Sequence, residues 1–234
     1  MNGFASAVLV AMLCTTTSFG DGQNVIKSVY ADQDVPLTLD PSLPFWREAG
    51  VVHMEKDKSG KHVPGFSAEV RTRWTKNNLY FLFASSYEEL YLKANPNTQQ
   101  ETNELWNWDV AEIFIGSDFD DIQRYKEFEV SPQGEWVDLD INLHKPHHED
   151  GWTWNSGFET AARIDRTSKM WYAAMRIPIS AIDKRESAEG NTLRINLFLS
   201  QGPPAHHREI AWQAPMKETF HVPERFGLIR LVNK

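Results

Sequence analysis

The sequence predicts an all-β chain folded as a two-sheet antiparallel β-sandwich, jelly-roll or immunoglobulin-like, with roughly ten strands. Three observations support this. Period-two and continuous β-rich runs recur along the chain. After residue 20 no stretch keeps a helical period over a persuasive length. The 234 residues are 41% hydrophobic and include nine tryptophans, enough apolar surface to bury a core and too much for a disordered chain.

The elements follow in order. Residues 67–74 alternate Ala68, Val70, Thr72 and Trp74 with Glu69, Arg71 and Arg73, a strand with one wet face. Lys76-Asn77-Asn78 turns the chain into residues 79–83, which are apolar on both faces and read as a central strand closing a hairpin. Further strands are expected at 110–116, 125–131, 136–141, 158–164, 170–177, 193–200, 209–212 and 226–231, with one short helical turn at 178–183. Residues 87–103 and 143–157 are long connections, and long ordered loops on a rigid sandwich commonly carry binding groups. The length suits one domain, placed at 21–234.

The amino terminus reads differently. Residues 4–19 are apolar or small and uncharged, too short for a membrane span, and Ser18-Phe19-Gly20 offers small residues at a cleavage site. Residues 1–20 are therefore read as a signal peptide cleaved after Gly20, giving a secreted, periplasmic or extracellular protein with no stable membrane insertion. Cys14, the one cysteine, lies inside that segment after Leu13, so lipidation is disfavoured and the mature chain has no thiol. The formal charge of -8 and the lack of a basic run argue against nucleic acid as a partner.

The acids have a local pattern. Ser131-Pro132-Gln133-Gly134 has turn chemistry and joins two strands as a hairpin. If Phe128 and Val130 share the core face with Val137, Leu139 and Ile141, the opposite face carries Glu127, Glu129, Trp136, Asp138 and Asp140. Such a patch calls for basic partners, a hydrated face, or a hard cation such as calcium held by Glu127, Asp138 and Asp140. Paired carboxylates could also hydrolyse a glycoside at a suitable separation.

Residues 105–115 then carry a recognisable pattern. Trp106, Asp109, Glu112, Ile113, Phe114 and Ile115 fit W-x-x-D-x-x-E-I-F-I, which resembles the family 9 carbohydrate-binding modules of the DOMON-like sandwich superfamily. Val70 to Trp74, Leu79-Tyr80, Ile210 to Trp212 and Pro223 to Leu231 resemble that family's flanking strands in the same order, so the likeness runs from residue 35 to 232. It implies a secreted, non-catalytic sugar-binding sandwich with structural calcium, no organic cofactor, and a role in extracellular polysaccharide recognition or catabolism. A pyranose has an apolar C–H face and a belt of hydroxyls, which suit a flat aromatic ring and planar polar rims. By this resemblance Trp106 is a stacking residue, Glu112 a hydroxyl acceptor and Asp109 part of the same motif. Phe220 followed by His221 stands where a second stacking tryptophan falls. Glu129 and Ser131 replace an arginine and an asparagine, exchanging a bidentate donor for a carboxylate.

Other constellations compete. Trp152 and Trp154 share a side if extended, and His144, His147, His148 with Glu149, and His206 with His207, are close enough in sequence for zinc but include no cysteine. A haem-binding domain of the same superfamily would need an axial pair from His53, Met54, Met170, Met175 and His221. A glycoside hydrolase would use Glu112 with Asp109, Glu127 or Glu129. No G-x-S-x-G, phosphate-binding glycine loop or H-E-x-x-H occurs.

Overall fold

The computed structural model describes residues 24–234. The expected signal peptide, its cleavage after Gly20, and Cys14 lie outside the described residues. The strands are β1 Val25–Tyr30, β2 Gly50–Met54, β3 Ala68–Trp74, β4 Asn78–Ser86, β5 Val110–Gly116, β6 Arg124–Val130, β7 Trp136–Asn142, β8 Glu159–Asp165, β9 Met170–Pro178, β10 Thr192–Gln201, β11 Arg208–Ala211 and β12 Gly227–Val232. Short helices are α1 Pro44–Arg47 and α2 Ile179–Ile182.

Strands β7-β6-β5-β10-β12 make one layer, with β11 added beside β10. Strands β3-β4-β9-β8 make the other, with β2 along β3. The two layers are joined by β1, whose Val25 to Val29 run parallel to β12 and whose Val29 and Tyr30 run parallel to β3. Parallel partners are distant in sequence, so no hairpin signal marks β1. Strand β2 is an edge segment with exposed Val51 and His53, and its alternation is too short to stand out.

The core fills the space between the layers. Ile113, Ile115, Phe128 and Leu197 from one layer meet Val70, Phe81, Phe83 and Met175 from the other, all at most 1% exposed. Burying each such side chain favours folding by about 1.5–3 kcal/mol against a matching loss of chain entropy. The outer face of the second layer is covered as well. Trp46 of α1 packs on Tyr80, Leu82 and Ala174, and its indole N–H donates to Thr38 Oγ1. Arg73, expected to face water, is 3% exposed and donates to the Phe45 carbonyl, because the segment around α1 lies over it.

The β6–β7 hairpin forms where expected, but its facing differs. Phe128 pairs with Asp138, Glu129 with Val137 and Val130 with Trp136. The connection at 131–135 sets this parity. Ser131 Oγ donates to Glu135 Oε2 at 2.7 Å, and the Gly134 N–H donates to the Ser131 carbonyl in a turn where Gly134 has φ +88°. A shift of one residue moves a whole strand's side chains to the other face. Glu127 and Glu129 thus share the outer face with Val137, Leu139 and Ile141, whereas Trp136, Asp138 and Asp140 point with Phe128 toward the inner side. The calcium set expected from Glu127, Asp138 and Asp140 is accordingly split across the sheet. Asp138 accepts from the Ser156 N–H at 2.7 Å, and Asp140 pairs with Lys126.

Candidate functional site

Side chains on the outer face of the first layer line up in rows across the strands. One row runs Val137, Glu129, Glu112, Phe198, Ala211. The next runs Leu139, Glu127, Phe114, Asn196. Strand periodicity alone brings three glutamates and two phenylalanines to the middle of this face.

Loops build walls around it. The turn Leu105–Asn107 carries Trp106, entered through Glu104 in the left-handed region at φ 59°, while Leu105 is buried beneath. Asp109 fixes this turn to its neighbours: its carboxylate accepts from the Tyr91 N–H at 2.9 Å and the Gly202 N–H at 2.7 Å. From the other side come Phe220 and His221, and the turn His148–Thr153 adds His148 and Glu149. The result is a cavity of about 450 Å³ lined by Trp106, Glu112, Phe114, Glu127, Phe220 and His221 among others, within the size range of ligand pockets.

The aromatic walls are supported from behind. Phe220 lies parallel on Phe198 with ring centres 4.2 Å apart at 10°. The His221 ring stacks on Phe114 at 5.0 Å and its Nδ1 lies 2.6 Å from the Tyr125 hydroxyl. Burial, helped by neighbouring His148, pushes His221 down to about 3, so the ring is neutral at physiological pH. Burial also raises the Tyr125 phenol, which keeps its proton. In the tautomer in which that O–H donates to Nδ1, the imidazole hydrogen sits on Nε2 as a donor.

Charge is concentrated at Glu112, Glu127 and Glu129. Each offers an oxygen within 4.8 Å of the others, and all three are buried. Ser200 Oγ approaches Glu112 Oε1 at 3.4 Å. Burial, reinforced by mutual repulsion, raises Glu112 and Glu129 well above the ordinary carboxylate range, and burial lifts Glu127 to about 7. Among the described residues no Lys or Arg lines the cavity.

The structure therefore brings together Trp106, Glu112, Phe220 and His221 on one cavity, with Glu129 against Glu112 and Glu127. It places two other expected ligand residues elsewhere. Asp109 is a buried loop anchor, and Ser131 is held inside its turn by Glu135. Phe114, Phe198 and Tyr125 were missed as supports; their signal was the alternation of β5, β6 and β10, which needed the facing to be read. Trp136 packs edge-on against Phe158 instead of sharing a face with Glu127 and Glu129. Trp152 and Trp154 separate into different clusters, the former under the site and the latter against the inter-layer core. His144 bonds Asp121 away from the others, whereas His147 and His148 both approach the Glu149 carboxylate, at 3.2 and 3.7 Å, with His148 also packed on His221. Of the axial candidates for haem, Met54 and Met175 are packed in the core, His53 is exposed and His221 belongs to the outer cavity.

Fold and site define a β-sandwich domain that presents a loop-walled cavity, aromatic at the sides and acidic at the base, on one sheet. Residues 43–234 match the family described as carbohydrate family 9 binding domain-like, and the chain belongs to that family. It is 25% identical over 157 residues, covering 62% of this chain and 70% of the relative, to an "Extracellular protein" of Arthroderma benhamiae. Among solved structures it is similar to a putative carbohydrate-binding protein from Bacteroides uniformis, with TM-score 0.68, 14% identity, and 89% and 99% of the two chains covered. It is also similar to a family 9 carbohydrate-binding module from Caldicellulosiruptor kristjanssonii. The cellotriose complex gives TM-score 0.59 and 15% identity over 90% of this chain and 94% of that one. The glucose complex gives 0.61 and 15% over 90% and 96%. At such identities the likeness establishes the fold.

Proposed function

We propose that this protein is a non-catalytic, extracellular carbohydrate-binding module that takes a sugar ring between Trp106 and Phe220. The observation that supports the reading most is the convergence of Trp106, Phe220, Glu112 and His221 on one cavity. Both rings are half-buried, with carbon faces available for a pyranose C–H face, while Glu112 accepts and His221 Nε2 donates at the hydroxyl belt. Binding without chemistry is supported by the matched family, which is described as a carbohydrate-binding domain. Secretion is supported by the sequence of residues 4–20 and by the name of the Arthroderma relative. Recognition of an extracellular polysaccharide, alone or beside a degrading enzyme, is the corresponding biological role.

Calorimetric titration of glucose and cellotriose, the ligands of the Caldicellulosiruptor structures, and pull-down on insoluble polysaccharides test this. Trp106→Ala is expected to weaken binding about tenfold or more, since loss of one stacking face removes on the order of 1.4 kcal/mol. Absence of binding by the intact protein across a glycan array, or an unchanged affinity in Trp106→Ala, sinks the reading.

A further inference from the structure

Among the described residues, no Lys or Arg lines the cavity to balance the three glutamates at its base. Glu112 and Glu127 line the cavity, and Glu129 stands directly across the ladder from Glu112. Their nearest oxygens lie within 4.8 Å of one another, the spread that a single ion bound at about 2.4 Å to each oxygen requires. A second observation points to a ligand. Glu129 is 0% exposed, among the described residues no N–H or alcohol donates to either of its oxygens, and the polar group hydrogen-bonded beside it is another acid, the Glu127 carboxyl. One oxygen of Glu127 is likewise without a donor. Buried carboxylates normally accept hydrogen bonds or face a cation, because an isolated buried charge is very costly. Lys126, the neighbouring base on β6, is on the opposite face with Asp140, and Lys58 is taken by Glu209 and Glu218.

We propose that Glu112, Glu127 and Glu129 form a binding site for one hard divalent cation, calcium foremost. An all-oxygen donor set excludes the preferences of soft metals and suits calcium, manganese or magnesium. Three carboxylates offer up to six oxygens, and Ser200 Oγ beside Glu112 can join them. A charge of +2 against three carboxylates removes most of the repulsion that burial imposes. The side of the ion toward the cavity stays open to water or to a ligand hydroxyl. The ion site stands whether or not a sugar enters the cavity.

The test uses the intact protein without any sugar. After chelator treatment and removal of the chelator, equilibrium dialysis against calcium, manganese or magnesium chloride with elemental analysis is expected to give one bound ion per chain. Melting temperature should rise by about 5 °C or more at saturating ion. Glu129→Gln and Glu127→Gln, which keep the side-chain shape, should each weaken ion binding at least about tenfold while the metal-free variants melt cooperatively. Terbium luminescence sensitised by Trp106 or Trp152 should show the same loss. Failure of all three ions to bind means that protons alone neutralise the carboxyls, which overturns the proposal. So does undiminished binding in both variants. Sugar titration of the same metal-free sample fails or succeeds separately, so the two readings are distinguishable.

Discussion

Glu112 on β5 and Glu129 on β6 face each other directly across an antiparallel ladder, both buried on the outer face of one sheet. Like charges so placed are destabilising, and burial removes the water that would screen them. A sheet does not retain such a pair for stability. The row that contains them, flanked by Val137 and Phe198, is instead the base of the cavity on which Trp106 and Phe220 converge.

In chelator at mildly alkaline pH, Glu129→Gln should therefore be more stable than the wild type, by on the order of 1 kcal/mol, because one of the apposed charges is gone and an amide can donate to Glu112. Urea unfolding measures this. A variant less stable than the parent under these conditions would show that the carboxyls are mutually satisfied as they stand.

Phe220→Ala removes the ring stacked at 4.2 Å on Phe198. Since Phe220 is half-buried, a loss of about 1–2 kcal/mol in unfolding free energy is expected, with sugar affinity falling about tenfold. Phe220→Tyr should recover the affinity. Equal sugar affinity in all three proteins would remove Phe220 from the binding surface.

Glu101 sits against Asp138 at the inner edge of the hairpin. Burial first, then the hydrogen bond and charge of Asp138, raise its carboxyl from 4.5 to about 8. The folded protein holds that proton more tightly than the unfolded chain, so its stabilising contribution is complete below pH 4.5 and is lost as pH rises through about 8. Melting curves from about pH 5 to about pH 9 should show a downward slope that Glu101→Gln flattens. The same slope in both proteins would assign the pH dependence to other groups.

Gly151 lies where the turn His148–Thr153 crosses β7. A Cβ there would stand 2.4 Å from the Asp140 carbonyl oxygen, a backbone atom that cannot swing aside. Gly151→Ala should cost about 1–3 kcal/mol and displace the wall that carries His148 and Glu149. Thermal melting gives the first effect, and Trp152 fluorescence in native buffer the second; an unchanged melting temperature would show that the turn relaxes freely.

Most strands were legible because each is a local pattern. The alternation at 67–74 became β3, the apolar run at 79–83 lies inside β4, the motif from Trp106 to Ile115 marked β5, and that motif together with the flanking motifs in the same order pointed to the family. Strand β1 was hidden because its partners are parallel and far away in sequence. The site was legible in part. Trp106 and Glu112 follow from a motif, but Asp109 in the same motif serves two backbone N–H groups of the surrounding loops, a use that no spacing reveals.

The sequence by itself determined the fold class, the family, and the presence of a carboxylate-rich hairpin. Only the tertiary structure decided which carboxylates meet. The connection at 131–135 sets the parity of β7 against β6, and that parity sends Asp138 and Asp140 inward. Pairing with β5 then puts Glu112 beside Glu129, across a turn and a neighbouring strand. Register is a property of the paired strands and their turn, and a one-residue difference reverses every side chain. That is why the composition showed an acidic protein and only the assembled sheet showed where the acid is concentrated.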